Sequence, residues 1–257
     1  MRNRSLFWIL LMIFIIATIL IGGCRLLEGT NNAVPQSPSK VSPEVPEQFQ
    51  EMVITREDIP SEVLQWFDSF GTEQIALVYQ HPYQTYLNIS SGNDREILMV
   101  DAKLEDYEKI FVFDFVGSEQ AGALSNRLYL NINSDLISNY RLMTSADEEL
   151  VVEQQVVFAV LEQPRAGDVI NSPVEIQGRI AAFEGSFVVR IIDNQENIIA
   201  EEYFQTDGAP AWGQFTELVT FDMPVTEPGR IEVGEYSAKD GEYLMRAQKE
   251  VNFDQNQ

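Results

Sequence analysis

The chain has 257 residues, 45% hydrophobic and 22% charged, enough to bury a core and to set two small domains as the expectation. Forty acidic side chains against 17 basic ones give a net charge of −23, a field that repels nucleic-acid phosphates and other polyanions. One cysteine and one histidine exclude an intrachain disulfide, a multi-Cys or multi-His zinc site, and any nucleophile–histidine pair that does not use His81.

Met1-Arg2-Asn3-Arg4 is a short positive region, Leu6 to Ile21 is almost unbroken apolar sequence, and Ile21-Gly22-Gly23-Cys24 follows. This order resembles a bacterial lipoprotein signal peptide with its lipobox. The resemblance implies a signal peptide over 1–23, cleavage after Gly23, and lipid on Cys24 as the first mature residue. Each buried acyl methylene contributes about 0.8 kcal/mol, so two or more chains give a stable anchor. The alternative is an uncleaved anchor, since the apolar run approaches the ~18 residues that can cross a bilayer. Either way the positive-inside rule places the remainder at the cell membrane, facing the extracytoplasmic side.

From Glu28 to about Glu51 the composition turns polar and proline-rich, with Val34-Pro35-Gln36-Ser37-Pro38 and Pro43-Glu44-Val45-Pro46. Such a stretch buries no core, so 24–52 reads as the lipidated Cys and an extended tether.

Residues 53–155 read as a β-rich middle domain with one short helix. Asp58-Ile59-Pro60-Ser61-Glu62 is the helix start, with Asp58 or Ser61 as its cap. Ile59, Val63, Phe67 and Phe70 follow near helical spacing, Trp66 joins the packing, and Gly71 is the stop. Strands are then expected at 74–79, 85–89, 96–100, 109–115, 127–132, 139–143 and 150–157, rich in aromatic and β-branched residues. Asp101, Glu105, Asp106 and Glu108 read as a solvated turn between two of them. Helix-Trp-Phe followed by Gln84-Thr85-Tyr86-Leu87-Asn88-Ile89-Ser90-Ser91-Gly92 resembles the PrcB-like domain of bacterial lipoproteins. The chain departs from that pattern at Asn93-Asp94-Arg95-Glu96, where members carry Pro-Thr-Gly-Gly-Tyr.

Residues 156–254 show the clearest pattern. In Val174–Ile180, Phe215–Phe221 and Ile231–Tyr236 apolar and polar residues alternate with the period of half-buried strands. Turn clusters separate such runs, among them Gly167-Asp168, Asn171-Ser172-Pro173, Asp193-Asn194-Gln195, Gly208-Ala209-Pro210, Glu227-Pro228-Gly229 and Lys239-Asp240-Gly241. About seven strands are expected, near 157–162, 173–181, 186–193, 197–205, 214–222, 229–236 and 243–253, which is an immunoglobulin-like β-sandwich in size and spacing. The order Ala182-Phe183-Glu184-Gly185, then Asp193, then Gly208-Ala209-Pro210 with Gly213 and Phe215, then Tyr236-Ser237-Ala238-Lys239-Asp240-Gly241 resembles the Gmad-type domain of bacterial sporulation and spore-germination lipoproteins. The resemblance implies an extracytoplasmic binding or scaffolding domain without catalysis. No GerM-like segment, its usual companion, accompanies it.

The fold class expected is therefore mainly β: a C-terminal immunoglobulin-like sandwich preceded by a small β-rich domain. The function expected is a membrane-anchored, non-enzymatic lipoprotein that binds an envelope protein, linked to sporulation or germination, with no cofactor, no metal and no nucleic acid. Two alternatives carry specific residues. Trp212 and Asp240 are the candidate binding-loop residues, and a cell-wall glycan module would centre on Trp212, provided its ring is exposed. An envelope hydrolase would need two facing carboxylates in the middle region. The run Asp193–Asn197 looks like calcium ligands but lacks the glycine and distant glutamate of such a loop, so a hairpin turn is expected. His81 reads as a loop residue.

Overall fold

The structure is a computed structural model and describes residues 50–71, 74–92, 95–104, 107–117 and 126–255. Gly23, Cys24 and the signal and tether segments lie outside the described residues. Val41–Gln257 form one compact unit. Among the described residues, no helix is long and apolar enough to cross a membrane.

Within that unit the strands sort into four sheets, none of which mixes strands from before and after residue 157. The first half holds β1 (Val53–Ile54), α1 (Ser61–Asp68), β2 (Gln74–Gln80), β3 (Thr85–Ser91), β4 (Glu96–Leu104), β5 (Glu108–Val116), β6 (Arg127–Ile132), β7 (Asn139–Thr144) and β8 (Val152–Val156). One sheet runs β1-β6-β3-β2-β8 and the other β4-β5-β7. The two pack face to face through Val78, Leu87, Ile89, Ile97, Phe111, Phe113, Leu130 and Leu142. The far face of the larger sheet is covered by α1, whose Val63 and Phe67 meet Leu77 and Tyr86. Its central strand β3 is thus buried at every position.

The expected helix forms, but its cap differs. Pro60 is the N-cap, with no side-chain cap bond, because its fixed φ turns the chain into the helix without one. Asp58 instead closes a separate 3-10 turn, where its carboxylate accepts from the Thr55 backbone at 3.1 Å. Asp101 and Glu108 also depart from the turn expectation. Both lie in strands, because a bulge after Met99 lets β4 continue alongside β5.

The second half holds β9 (Ala159–Gln163), β10 (Val169–Ile170), β11 (Val174–Ile180), β12 (Ser186–Asp193), β13 (Ile198–Gln205), β14 (Gly213–Val219), β15 (Pro228–Tyr236) and β16 (Tyr243–Phe253). A five-stranded sheet β10-β16-β15-β12-β13 faces a three-stranded sheet β14-β11-β9. Inward residues of both, including Ile176, Ile180, Phe187, Val189, Phe215, Ile231 and Phe253, make one core. This is the immunoglobulin-like sandwich the alternation predicts, with β10 as a short addition. One turn is misplaced by the sequence reading. Pro228 and Gly229 belong to β15, where Gly229 pairs with Val251 and Asp193; Pro is tolerated there because it opens the strand.

Candidate functional site

The outer face of the five-stranded sheet carries the largest group of exposed aromatic rings on the sandwich. Register explains the grouping: Arg190 stands opposite Glu201 on β13 and Glu232 on β15, while Val188 stands opposite Tyr203 and Gly234, and Tyr236 opposite Tyr243. All of these side chains therefore point away from the core. Arg190 Nε donates to Glu201 at 2.7 Å and its Nη2 donates to the Tyr236 hydroxyl at 2.6 Å. Its guanidinium also lies 3.6 Å from the centre of the Tyr243 ring. The hydroxyls of Tyr203 and Tyr236 both donate to the Glu201 carboxylate, at 3.1 and 3.2 Å. Burial works to raise the Glu201 carboxyl, and hydrogen bonds from Arg190 and the tyrosines overcome it and hold the group below the usual carboxylate range. Burial raises the Tyr243 hydroxyl well above its ordinary value.

This network fixes two rings in place. Tyr203 and Tyr236 lie 6.1 Å apart with planes only 15° off parallel. Beside them lies a groove of about 210 Å³ lined by Phe183, Glu184, Phe187, Val188, Tyr203 and Tyr236. Tyr203 is 65% and Phe183 59% exposed. Phe, Tyr and Arg at this density are the composition of protein-binding surfaces, where rigid aromatic rings supply contact area at small entropic cost.

The turns that frame the groove are those singled out in the sequence. Phe183-Glu184-Gly185 forms a 3-10 turn with Glu184 at φ +52° and Gly185 at φ +75°. It clasps the Gly208-Ala209-Pro210 turn: Thr206 N donates to Gly185 O at 2.8 Å and Ala209 N to Ala182 O at 2.9 Å. A Cβ on Gly185 would stand 2.2 Å from the Thr206 carbonyl, so glycine is required both by φ and by space. Behind Phe183, the buried Glu235 carboxylate accepts from the Phe183 backbone at 2.7 Å and from Arg246 at 2.6 Å. On the other rim, Asp240 holds its turn by accepting from Glu242 N at 3.2 Å, within Ser237–Glu242. Its carboxyl is held below the usual value by the hydrogen bond from the Ser237 side chain first and the Glu242 backbone second. Asp240 is thus a turn-forming residue near the groove, and does not line it.

The exposed ring that a Trp212 sugar site requires is not there, and Trp212 is a packed residue. Its ring is 2% exposed and its Nε1 donates to Val157 O at 2.9 Å, so no face is available to a sugar. The loop Gly208–Gly213 is occupied instead by the middle domain. Ile137 N donates to Pro210 O at 2.7 Å, Trp212 N to Asp135 O at 3.1 Å, and Leu136 bridges Ala211. Arg179 completes the junction, donating to Pro82 O at 2.7 Å and to Asp135 and Trp212 O at 3.2 Å, with its guanidinium over the Tyr83 ring. Nothing in the local sequence of either partner signals this docking.

His81 sits in the tight β2–β3 turn, exchanging backbone bonds with Gln84. Burial, with Arg179 nearby, lowers its pKa, against the pull of Glu62. Asp193 also does turn work, accepting from Gln195 N and Asn197 N at 2.8 and 2.9 Å and from the Asn197 amide at 2.9 Å. Among the described residues no group of three or more His, Cys, Asp or Glu side chains is placed to hold a metal ion.

No curated protein matches the chain. Among solved structures, the crystal structure of CopC from Methylosinus trichosporium OB3b is similar at 15% identity, over 37% of this chain and 93% of that one, with a TM-score of 0.26. Residues 158–242, within the sandwich that carries the Phe183–Tyr203–Tyr236 groove, match the model of the Gmad2 family, an immunoglobulin-like domain of bacterial spore germination.

Proposed function

We propose that the chain is an extracytoplasmic lipoprotein, anchored through lipid on Cys24, whose immunoglobulin-like domain binds a protein partner of the cell envelope without chemical turnover. The observation that carries this reading is the groove lined by Phe183, Tyr203 and Tyr236, with the two tyrosine rings held by the Arg190–Glu201 network before any ligand arrives. Rings fixed in advance lose little freedom on binding, which favours affinity. The germination-type family match supports a setting in spore formation or germination, and the apolar leader ending in Gly23-Cys24 supports the anchor.

A photo-crosslinking residue placed at Phe183 in intact envelopes tests the binding face, with the same residue at exposed Glu175 on the opposite sheet as control. A discrete crosslinked protein from position 183 alone, lost on Tyr203→Ala, is the expected result. Equal patterns from both positions, or none from either, would remove the protein-binding face. The anchor is checked separately by intact mass: a chain beginning at Cys24 plus acyl groups, absent in Cys24→Ser, is expected, and an unprocessed mass in both would replace lipidation with an uncleaved anchor.

A further inference from the structure

A second groove, of about 170 Å³, lies on the opposite side of the sandwich, on the outer face of β14-β11-β9. Its chemistry differs from that of the aromatic groove. The lining side chains are Glu162, Gln177, Gln214 and Thr216, over the backbone of Gly178 and Phe215. Register puts Thr216 directly opposite Gln177, and Gln214 opposite Arg179. The β9–β11 ladder slips between Gln177 and Gly178, pairing them with Gln163 and Leu161 and leaving Glu162 as the extra residue. Bulges of this kind re-aim a side chain, and here the carboxylate meets the hydroxyl of Tyr83 from the middle domain. That hydroxyl is pushed up to about 12 by burial and by the Glu162 carboxylate, so it stays a donor at neutral pH. The Tyr83 ring is 40% exposed and held under the Arg179 guanidinium, 5.1 Å from the ring centre. Polar groups converging on one groove, with an aromatic ring fixed at its edge through Glu162, are ingredients of a small-ligand site.

We propose that this polar groove binds a neutral sugar ring of a wall glycan. Two amides, a hydroxyl and a carboxylate supply donors and acceptors in the mixture that vicinal sugar hydroxyls need. The half-exposed Tyr83 ring, at the edge of the groove beside Glu162, offers surface for sugar C–H groups. Phosphate- or carboxylate-bearing polymers do not suit it, because Glu162 stands in the groove and the whole chain carries −23. A protein anchor does not suit it either, since the lining lacks the buried apolar pocket such anchors fill. The site is separate from the protein-binding face, and only the location of the glycan in the envelope rests on the placement proposed above.

The test is calorimetric titration of the full chain in detergent with the tetramer of β-1,4-linked N-acetylglucosamine, a neutral glycan. Saturable binding is expected, weakened about tenfold or more in Gln177→Ala/Gln214→Ala, since each lost neutral hydrogen bond contributes roughly 0.5–1.5 kcal/mol. Both residues point outward from a folded sheet, so the variant keeps the fold, and its circular dichroism serves as the check. Tyr203→Ala should leave sugar binding unchanged. The proposal is overturned by absence of binding, by binding untouched in the double variant, or by loss in Tyr203→Ala, which would move the sugar to the aromatic groove. Failure here leaves the crosslinking result from position 183 intact, and failure of that crosslink leaves this titration intact.

Discussion

At the scale of single residues, the turns of the sandwich show how a short polar side chain replaces missing backbone partners. Asp193 ends β12 and has three donors aimed at its carboxylate, the strongest being the Asn197 side-chain amide. These bonds favour the charged form and hold its pKa below the ordinary carboxylate value. The folded-state value being depressed, the stabilisation is complete above the unfolded value and is lost as pH falls through the lower folded one. Hydrogen-exchange protection at Gln195 and Asn197 should therefore be flat from neutral pH down to about pH 4, the ordinary Asp range, and then fall. Asp193→Asn should abolish that pH dependence. Protection that stays constant through acid in the parent chain would mean the backbone alone holds the hairpin. This turn was legible in the sequence, because Asp-Asn at a strand end is turn chemistry. Trp212 was not legible, because its fate depends on Val157 and Asp135, both far from it along the chain.

At the scale of elements, periodicity located nearly every strand, and failed where an element depends on a distant neighbour. Alternation over Val174–Ile180 reports one buried face, whereas Ile231–Glu235 alternate in sequence but are buried on both faces. β3 carries no such alternation, since α1 covers one side and β4-β5-β7 the other. The parallel pairings β2–β8 and β5–β7 join segments separated by whole strands and leave no local mark. The helix is the element on which the burial of β3 turns. Phe67 is fully buried and reaches Leu77 and Tyr86. Phe67→Ala should cost about 3–5 kcal/mol, the range for emptying a phenylalanine site in a core. Denaturant unfolding of the full chain measures it. A loss below ~1 kcal/mol would show that α1 is a loosely held cover and that β3 is buried by the second sheet alone.

At the scale of the whole molecule, the question is whether the immunoglobulin-like domain acts as a free module or as half of a fixed pair. The junction favours the fixed pair: four hydrogen bonds cross it from the Gly208–Gly213 loop and Arg179, and Trp212 is sealed at its centre. Tyr83 and Arg179 also stack across it, next to the polar groove that Glu162 lines. The family motif could be recognised in sequence as turn residues, but its use as a dock could not, because the complementary segment Asp135–Ile137 has no pattern of its own. Arg179 is the decisive side chain, since its guanidinium satisfies Pro82 O, Trp212 O and Asp135 together. Arg179→Met keeps the stem and removes those donors. It should weaken docking by about 2–3 kcal/mol, the cost of leaving buried acceptors without partners. Tryptophan emission should then shift to the red as Trp212 meets water, with Trp66 common to parent and variant and cancelling in the difference. Proteolytic cleavage near Val157 should rise while strand content by circular dichroism stays the same. Unchanged emission and cleavage would assign the docking to the backbone contacts of Pro210 and Trp212 alone. Arg179 would then serve the polar groove by positioning Tyr83, and its loss would be read in sugar affinity while the domains remained docked.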